Sequence, residues 1–567
     1  MGAPRSALPL LDSPRTLWIL LASALLVRLW GIGYGLPYVY WIDEYHEVMR
    51  ALELGTGHFN FERTGKGGFY LLLFFEFGLY VLVLKAAGFV SSVQQFAEQF
   101  VRDPTPFYLM GRATAAAFGC ATVAAAYWVG RRAYGAHAGL VGAAFLAFNV
   151  LHVDLSHRVG VDVPMTMLAT LTIVFALQIV ERGELRDYAL AALSAALATT
   201  TKLPGLLLLL PLLIAHMYRM GRSGQPWTAW ITSRRMWIAF LLFCAVLIAT
   251  NPAVVLHFDP LAFYSSDHND ALEAGEIPGD SPGADSRPNL HGYYLNVLLQ
   301  SMGWPLFGLS LIAVGHAALR RRPADIILLS YATVTYVAIT STTSEALYYP
   351  RYALPIIVVL AILGGRTFCQ FLARVPRWHV AATVSATAII LAFPLSQSVK
   401  VSYSLTQTDT RTRAKAWFDE HVPPGSRVLI EGSKIAASRL TVPLADSRES
   451  LEHRIAYWEV HEPRQAKYLE MMRTVSAGGG YRLELIRLDS VASLDDYLAG
   501  GIEYFVVRPQ YFASARKAGG GSARLLLALR SDPRLVLLQR FEAPSSTYPG
   551  PLIEIYGLRA KSSTRES

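Results

Sequence analysis

Along this 567-residue chain the apolar positions form long uninterrupted runs up to about residue 397 and short ones after it. A helix needs about 20 apolar residues to cross the hydrocarbon core of a bilayer. Runs that meet or approach this length lie at 16–36, 108–130, 137–152, 164–181, 236–255, 293–318, 324–340, 352–373 and 379–397. Segment 188–217 is broken by Thr199-Thr-Thr-Lys202-Leu-Pro204-Gly205 and reads as two crossings joined by a tight turn. Segment 69–90 is long enough to cross but carries Glu76 and Lys85, so its placement needs a second argument.

After residue 397 the apolar runs shrink to strand length, at 427–431, 481–486, 503–507, 534–538 and 552–556. Asp409 can cap a helix that runs to about 421 and stops at Pro423-Pro424-Gly425. Ser493-Leu-Asp-Asp496 starts another by capping-box spacing. Short strands alternating with helices predict an α/β domain over 398–567. The division is then a terminus at 1–15, a membrane domain over 16–397 whose first loop at 37–107 carries juxtamembrane helices, and this tail.

Composition agrees: 53% of residues are hydrophobic and 16% charged, against about 25% charged in soluble domains. Mean hydropathy is +0.33. Disordered, collagen-like, coiled-coil and disulfide-scaffold classes are excluded, and Cys120, Cys244 and Cys369 all fall in apolar runs, so no disulfide is expected. The net charge of +9 does not indicate a nucleic-acid partner, because the basic residues bunch in short loops between apolar runs, where they orient a membrane protein.

Loop charge also decides the placement of 69–90. If it lies along the membrane surface, the loops with Arg131-Arg132, Arg182 and Arg186, 219–235, 320–322 and 374–377 all face the cytoplasm with the N-terminus. The loops at 37–107, 153–163, 256–292 and 341–351 and the tail then face outward. The prediction is a polytopic α-helical membrane protein of eleven spans with an extracytoplasmic C-terminal α/β domain, suited to a bacterial inner membrane. Arg28 interrupts the first run and no clean cleavage site follows, so that run reads as a retained span.

The candidate chemistry lies in the outward loops. Trp41-Ile-Asp43-Glu44-Tyr45-His46-Glu47 opens a helical pattern in which Asp43 and Glu47 stand one turn apart, with Glu44 beside them. Such acids serve as a general base, a metal site or plain helix N-terminal charges. Lys66-Gly-Gly-Phe-Tyr70 offers a lysine among glycines at the foot of an apolar helix, as a phosphate contact or an interfacial anchor. His152-Val-Asp154-Leu-Ser-His157-Arg158-Val-Gly-Val-Asp162-Val-Pro164 concentrates charge at a membrane boundary, which is costly unless the groups pair or act. Arg351-Tyr352 and Lys202 reach the same face, where Lys66, Arg158, Lys202 and Arg351 beside carboxylates would suit a phosphate leaving group. Asp259, Asp267, His268, Asp270 and His291 match no tight metal spacing and read chiefly as a polar loop.

Taken in order, these stretches resemble the C-type (GT-C) membrane glycosyltransferases that use polyprenyl-phosphate-linked sugars, the group of protein O-mannosyltransferases and aminoarabinose transferases. Asp43-Glu44 is similar to the group's acidic pair, Lys66-Gly-Gly-Phe-Tyr70 to its Lys-Pro-Pro-Leu-Tyr, and Gly130-Arg-Arg-Ala-Tyr-Gly135 to its Gly-Arg-Arg-Leu-Tyr-Gly. His157-Arg-Val-Gly-Val-Asp162-Val-Pro164 and Tyr349-Pro-Arg-Tyr-Ala-Leu-Pro355 resemble two further stretches of the group. The likeness spans residues 15 to about 400, and Trp417-Phe-Asp-Glu-His-Val-Pro-Pro-Gly425 in the tail is also similar to bacterial members. The sequence departs from the group at Gly67 and Gly68, where it has prolines, and at Gly65, where aminoarabinose transferases carry an acid.

The resemblance implies transfer of a sugar, with inversion, from a polyprenyl-phosphate donor to the hydroxyl of a lipid, glycan or protein acceptor. It implies catalysis by Asp43 with Glu44, donor phosphate binding by Lys66, Arg158, Arg351 and Lys202, and orientation of substrate by Asp162, His157 and Tyr352. No cofactor is assigned, and a divalent ion on Asp43, Glu44 or His268 stays open. The rival readings are a lipid-linked sugar transporter and a non-catalytic membrane subunit. Against the first stand the lack of paired broken-helix repeats and the clustering of charge at one membrane face.

Overall fold

The computed structural model describes residues 14–56, 66–251, 289–341, 349–374, 379–431, 440–461, 463–475, 479–486, 491–510, 521–543 and 549–559. The chain opens with α1 (Pro14–Leu29), and the first loop holds α2 (Ile42–Glu53), α3 (Gly67–Ala86) and α4 (Val93–Arg102). The bundle continues through α5 (Thr105–Tyr134), α6 (Ala136–Ala147), α7 (Val150–Leu155), α8 (Asp162–Glu181), α9 (Leu185–Thr201) and α10 (Leu209–Arg222). It closes with α11 (Trp227–Thr232), α12 (Arg234–Thr250), α13 (Leu290–Arg320), α14 (Pro323–Thr340), α15 (Leu354–Leu372) and α16 (His379–Ser404).

Each of the eleven runs read as spans contains a helix among its described residues. Among the described residues eight helical segments of at least 18 residues are apolar enough to cross a membrane. Seven of them belong to the expected spans, while α1, α6, α9 and α12 are apolar but shorter, at 16, 12, 17 and 17 residues. The eighth is α3, so length and composition alone qualify as a span the segment that loop charge places at the surface. The run at 137–152 is divided: α6 ends at Ala147, and the Asn149 side chain caps α7 by accepting from the His152 N–H at 3.1 Å.

Small residues let the bundle pack closely. A Cβ at Gly365 of α15 would lie 2.4 Å from the backbone nitrogen of Gly142 on α6, so these two helices touch backbone to backbone. Helix α15 is consequently central, with 89% of its apolar stretch buried against 11% for α16. At the far end of α5, Tyr134 of the Gly-Arg-Arg-Ala-Tyr-Gly motif donates to Asp325 at 2.7 Å, and Arg366 donates to the same oxygen at 2.6 Å, which ties α5, α14 and α15 together.

The tail begins with α17 (Thr410–His421) and a five-stranded sheet of β1 (Arg427–Glu431), β2 (Arg482–Ile486), β3 (Tyr504–Val507), β4 (Leu535–Phe541) and β5 (Ile553–Leu558). Strand order is β2-β1-β3-β5-β4, with β1 parallel to β2 and β3 and the two remaining pairings antiparallel. Successive side chains of β1 alternate between faces. Val428 and Ile430 pack with Ala414 and Phe418 of α17, while Leu429 packs on the other side with Leu494, Tyr497 and Leu525. The sheet is therefore covered on both faces. A hairpin of two helices, Arg448–His461 and Pro463–Val475, packs its second member against α4.

Candidate active site

Helix α2 sorts its residues by face. Glu44, Val48 and Ala51, spaced at four and three, are fully buried. Asp43, Glu47 and Arg50 lie one step round the helix, on the side from which Asp43 and Glu47 meet cations of other elements. Asp43 and Glu44 both occupy the first turn, where negative charge suits the helix dipole, and the N-cap Trp41 supplies no side-chain cap.

Three separate elements bring cations to the cluster around Asp43. Arg351, on a short 3-10 turn (Pro350–Ala353) ahead of α15, donates from Nη1 to Asp43, and its Nε lies 3.9 Å from Asp162 Oδ2. Lys202, where α9 turns toward α10, donates to Asp162 Oδ1 at 2.6 Å, and its Nζ sits 4.3 Å from the Tyr352 ring centroid. Lys66, at the N-terminus of α3, donates to Glu47 Oε1 at 2.8 Å. The second glycine after it has a packing reason: a Cβ at Gly68 would lie 2.4 Å from Thr200 Oγ1, so the foot of α3 rests directly on the end of α9.

The cluster thus holds three carboxylates and three cations in matched pairs: Asp43 with Arg351, Asp162 with Lys202, and Glu47 with Lys66. Desolvation opposes charge on Asp43, but the Arg351 guanidinium and then the Lys66 ammonium outweigh it and bring the carboxyl down to about 2. Burial likewise disfavours the Lys66 ammonium, and the Glu47 carboxylate more than compensates, holding it above its ordinary value. Glu47 is buried and Asp162 nearly so, whereas 53% of the Asp43 side chain is exposed, which makes Asp43 the acid an incoming group can reach.

Three expected site residues turn elsewhere. Glu44, read as a second catalytic acid, is clamped by Arg112: Nε donates to Oε1 at 2.8 Å and Nη2 to Oε2 at 2.6 Å, and the Val159 N–H adds a third bond at 2.8 Å. Arg112 also donates to the carbonyls of Ile32 and Tyr34, so this buried pair fastens the first loop to α5. His157, read as orienting substrate, has its ring nitrogens 2.8 Å from the Val153 carbonyl and 3.1 Å from that of Trp30, and so bolts α7 to the end of the first span. Arg158 grips both oxygens of Asp154 at 2.7 Å and stacks 4.4 Å over the Trp41 ring, beside the cluster.

A metal on Asp43 and Glu44 does not fit this arrangement, since the two carboxylates point to different cations, and among the described residues no three His, Cys, Asp or Glu side chains are placed to hold a metal ion together. His268, with Asp259, Asp267 and Asp270, lies outside the described residues, and His291 Nδ1 sits 3.1 Å from the Tyr336 hydroxyl. The residues that sequence reasoning left out of the site are Glu47 and Arg112. Each had a signal: Glu47 follows Asp43 by one turn, and Arg112 is a lone charge in an apolar run.

The loop that delivers α2 is held from the tail. Asp409, the cap of α17, accepts from the Tyr34 hydroxyl and from Arg411 Nε and Nη2, both at 2.8 Å. The Arg411 guanidinium stacks 3.7 Å over the Tyr40 ring, and the Tyr40 hydroxyl is 2.7 Å from Thr412 Oγ1. Tyr34 and Tyr40 lie just before Trp41, so the tail anchors the segment that sets the start of α2.

Residues 109–253 match the family described as dolichyl-phosphate-mannose-protein mannosyltransferase. No curated protein sequence matches the chain. Among solved structures, ArnT from Cupriavidus metallidurans bound to undecaprenyl phosphate is similar at 13% identity over 96% of this chain and 98% of that one, with a TM-score of 0.47. The apo state of the same protein gives 14% identity, the same coverages and a TM-score of 0.49. The archaeal oligosaccharyltransferase AglB from Archaeoglobus fulgidus, in complex with an inhibitory peptide and a dolichol-phosphate, gives 11% identity over 91% of this chain and 72% of that one, with a TM-score of 0.45.

Proposed function

We propose that this chain is an integral membrane glycosyltransferase that moves a sugar from a polyprenyl-phosphate donor to an acceptor hydroxyl, with inversion at the anomeric carbon. One observation carries the reading: a reachable carboxylate, Asp43, stands among three cations contributed by separate elements, in a chain whose residues 109–253 match a family named for a lipid-phosphate sugar donor.

In this mechanism the acceptor oxygen attacks the anomeric carbon while its proton passes to the Asp43 carboxylate. The bond from that carbon to the phosphate oxygen breaks, and its electron pair stays on the phosphate, where Arg351, Lys202 and Lys66 stabilise the growing charge. Asp162 sets the direction of Lys202, and the Tyr352 ring lies beneath its ammonium. Arg158 flanks the phosphate position from the Trp41 side. Glu44 and His157 are assigned to holding the loop. No step runs through a metal.

Loop charge supports an orientation with the N-terminus in the cytoplasm, α3 along the outer membrane surface, and the site and tail domain outside, in a bacterial inner membrane. The test is release of radiolabelled sugar from polyprenyl-phosphate donors by the purified chain in detergent. Asp43→Asn should lower release at least about a hundredfold, and a chelator should leave it unchanged. Full activity in that variant sinks the base assignment. No release from any donor by folded wild type sinks the enzyme reading in favour of a carrier or a non-catalytic subunit.

A further inference from the structure

We propose that Arg351 is an exchangeable counterion: it pairs with Asp43 until the donor's phosphate draws it away, and only then is the Asp43 carboxylate unpaired to accept a proton. The inference rests on the transferase reading above and adds an order of events to it.

The argument starts from charge balance. Asp43, Asp162 and Glu47 are each hydrogen-bonded by one cation, Arg351, Lys202 and Lys66 in turn, so these three carboxylates balance the three cations that face the site. A phosphate can be stabilised there only if a cation loosens from its carboxylate, and the cost depends on what that carboxylate then faces. A charge left buried without a partner is expensive, whereas one that water reaches is not. The side chains of Glu47 and Asp162 are 2% and 12% exposed, and that of Asp43 is 53% exposed. Releasing Lys66 or Lys202 takes the hydrogen-bonded cation from a buried acid, while releasing Arg351 leaves an acid that is half exposed and still faced by Lys66. Arg351 is therefore the cation that moves.

Its surroundings suit the exchange. Arg351 Nε is buried and makes no hydrogen bond among the described residues, its closest acid being Asp162 Oδ2 at 3.9 Å. The planar guanidinium can present two N–H groups side by side to two phosphate oxygens, which neither lysine can do. Its central carbon lies 4.3 Å from the Tyr349 ring centroid and 5.8 Å from that of Tyr352, so the cation can turn between two aromatic faces. The groups acting on Asp43 are Arg351, Lys66 and His46, and those acting on Arg351 are Asp43, Asp162, Tyr352 and Tyr349. Of these, Arg351 is the one that donates a hydrogen bond to Asp43.

Donor binding then precedes activation of the acceptor, and the released lipid phosphate retains Arg351 until it leaves. The experiment measures calorimetric binding of a short-chain polyprenyl monophosphate to the full chain in detergent. Because Asp43 competes with the phosphate for Arg351, Asp43→Asn should tighten binding about two- to fivefold, the range expected of a partly exposed ion pair. Asp43→Ser should shift it in the same direction, Arg351→Gln should weaken it, and Asp43→Asn should add nothing in the Arg351→Gln background. Unchanged or weaker binding in both Asp43 variants, or a gain that persists without Arg351, overturns the exchange. If folded wild type binds no polyprenyl phosphate, the transferase reading itself falls.

Discussion

Asp43 and Glu44 are neighbours in the chain, yet the rotation of about 100° per residue in a helix sends them to opposite surroundings. Asp43 meets Arg351 at an accessible position, and Glu44 is sealed against Arg112. Their variants should fail in different ways. Arg112→Leu leaves the Glu44 carboxylate buried without its cation and should destabilise the protein by about 3–5 kcal/mol, read as a lowered unfolding midpoint in detergent. Asp43→Asn should lower that midpoint only slightly at neutral pH, the pair being half exposed, while lowering transfer at least about a hundredfold. The Asp43 pair also has a signed pH dependence. Its folded-state value near 2 lies below the unfolded value of about 3.9, so the pair stabilises fully above about pH 4 and loses its contribution as pH falls toward 2. The small gap between the unfolding midpoints of wild type and Asp43→Asn should therefore close as pH is lowered from about 4 toward 2.

At the scale of elements, the placement of Lys66 depends on how closely α3 approaches α9. Gly68→Ala puts a methyl group 2.4 Å from Thr200 Oγ1 and should push the foot of α3 outward, lowering kcat/KM about tenfold or more, in keeping with the sensitivity of positioned groups to small displacements. Thr200→Ala in the same chain removes the nearest atom, leaving Cβ at 3.1 Å, and should restore much of the loss. Much of this level was legible in the sequence. The apolar runs became helices, and five short runs became the five strands, because a period and a length suffice to name an element. The end of β4 was not legible: the strand continues past residue 538 to Phe541 because Gln539 and Arg540 sit on an edge strand with water on one side, where polar residues do not interrupt pairing. The helical hairpin over 448–475 went unread although Leu451, Ile455 and Trp458 repeat at helical spacing, since its polar residues outnumber its buried ones. The site was half legible. Charged residue types at a membrane boundary mark the neighbourhood, but which carboxylate meets which cation depends on helix rotation and on contacts between loops more than a hundred residues apart.

At the scale of the whole molecule, the tail domain shares a buried network with the first loop. Arg411→Leu removes the cation that joins Asp409 to the Tyr40 ring and should loosen the start of α2. The expected result is a fall in kcat of about ten- to a hundredfold with little change in lipid phosphate affinity, a split that kinetics and calorimetry on one preparation can read. Arg411→Lys keeps the charge and should recover part of the loss. The same network bears on biosynthesis. Tyr34 and Asp409 are 375 positions apart, and a ribosome adds about 5–20 residues per second. The loop carrying Asp43 must therefore wait about 20–75 s for its clamp to be translated. Nascent chains inserted in the membrane but not yet complete lack this clamp, so transfer should be slower on them than on molecules whose last domain has folded.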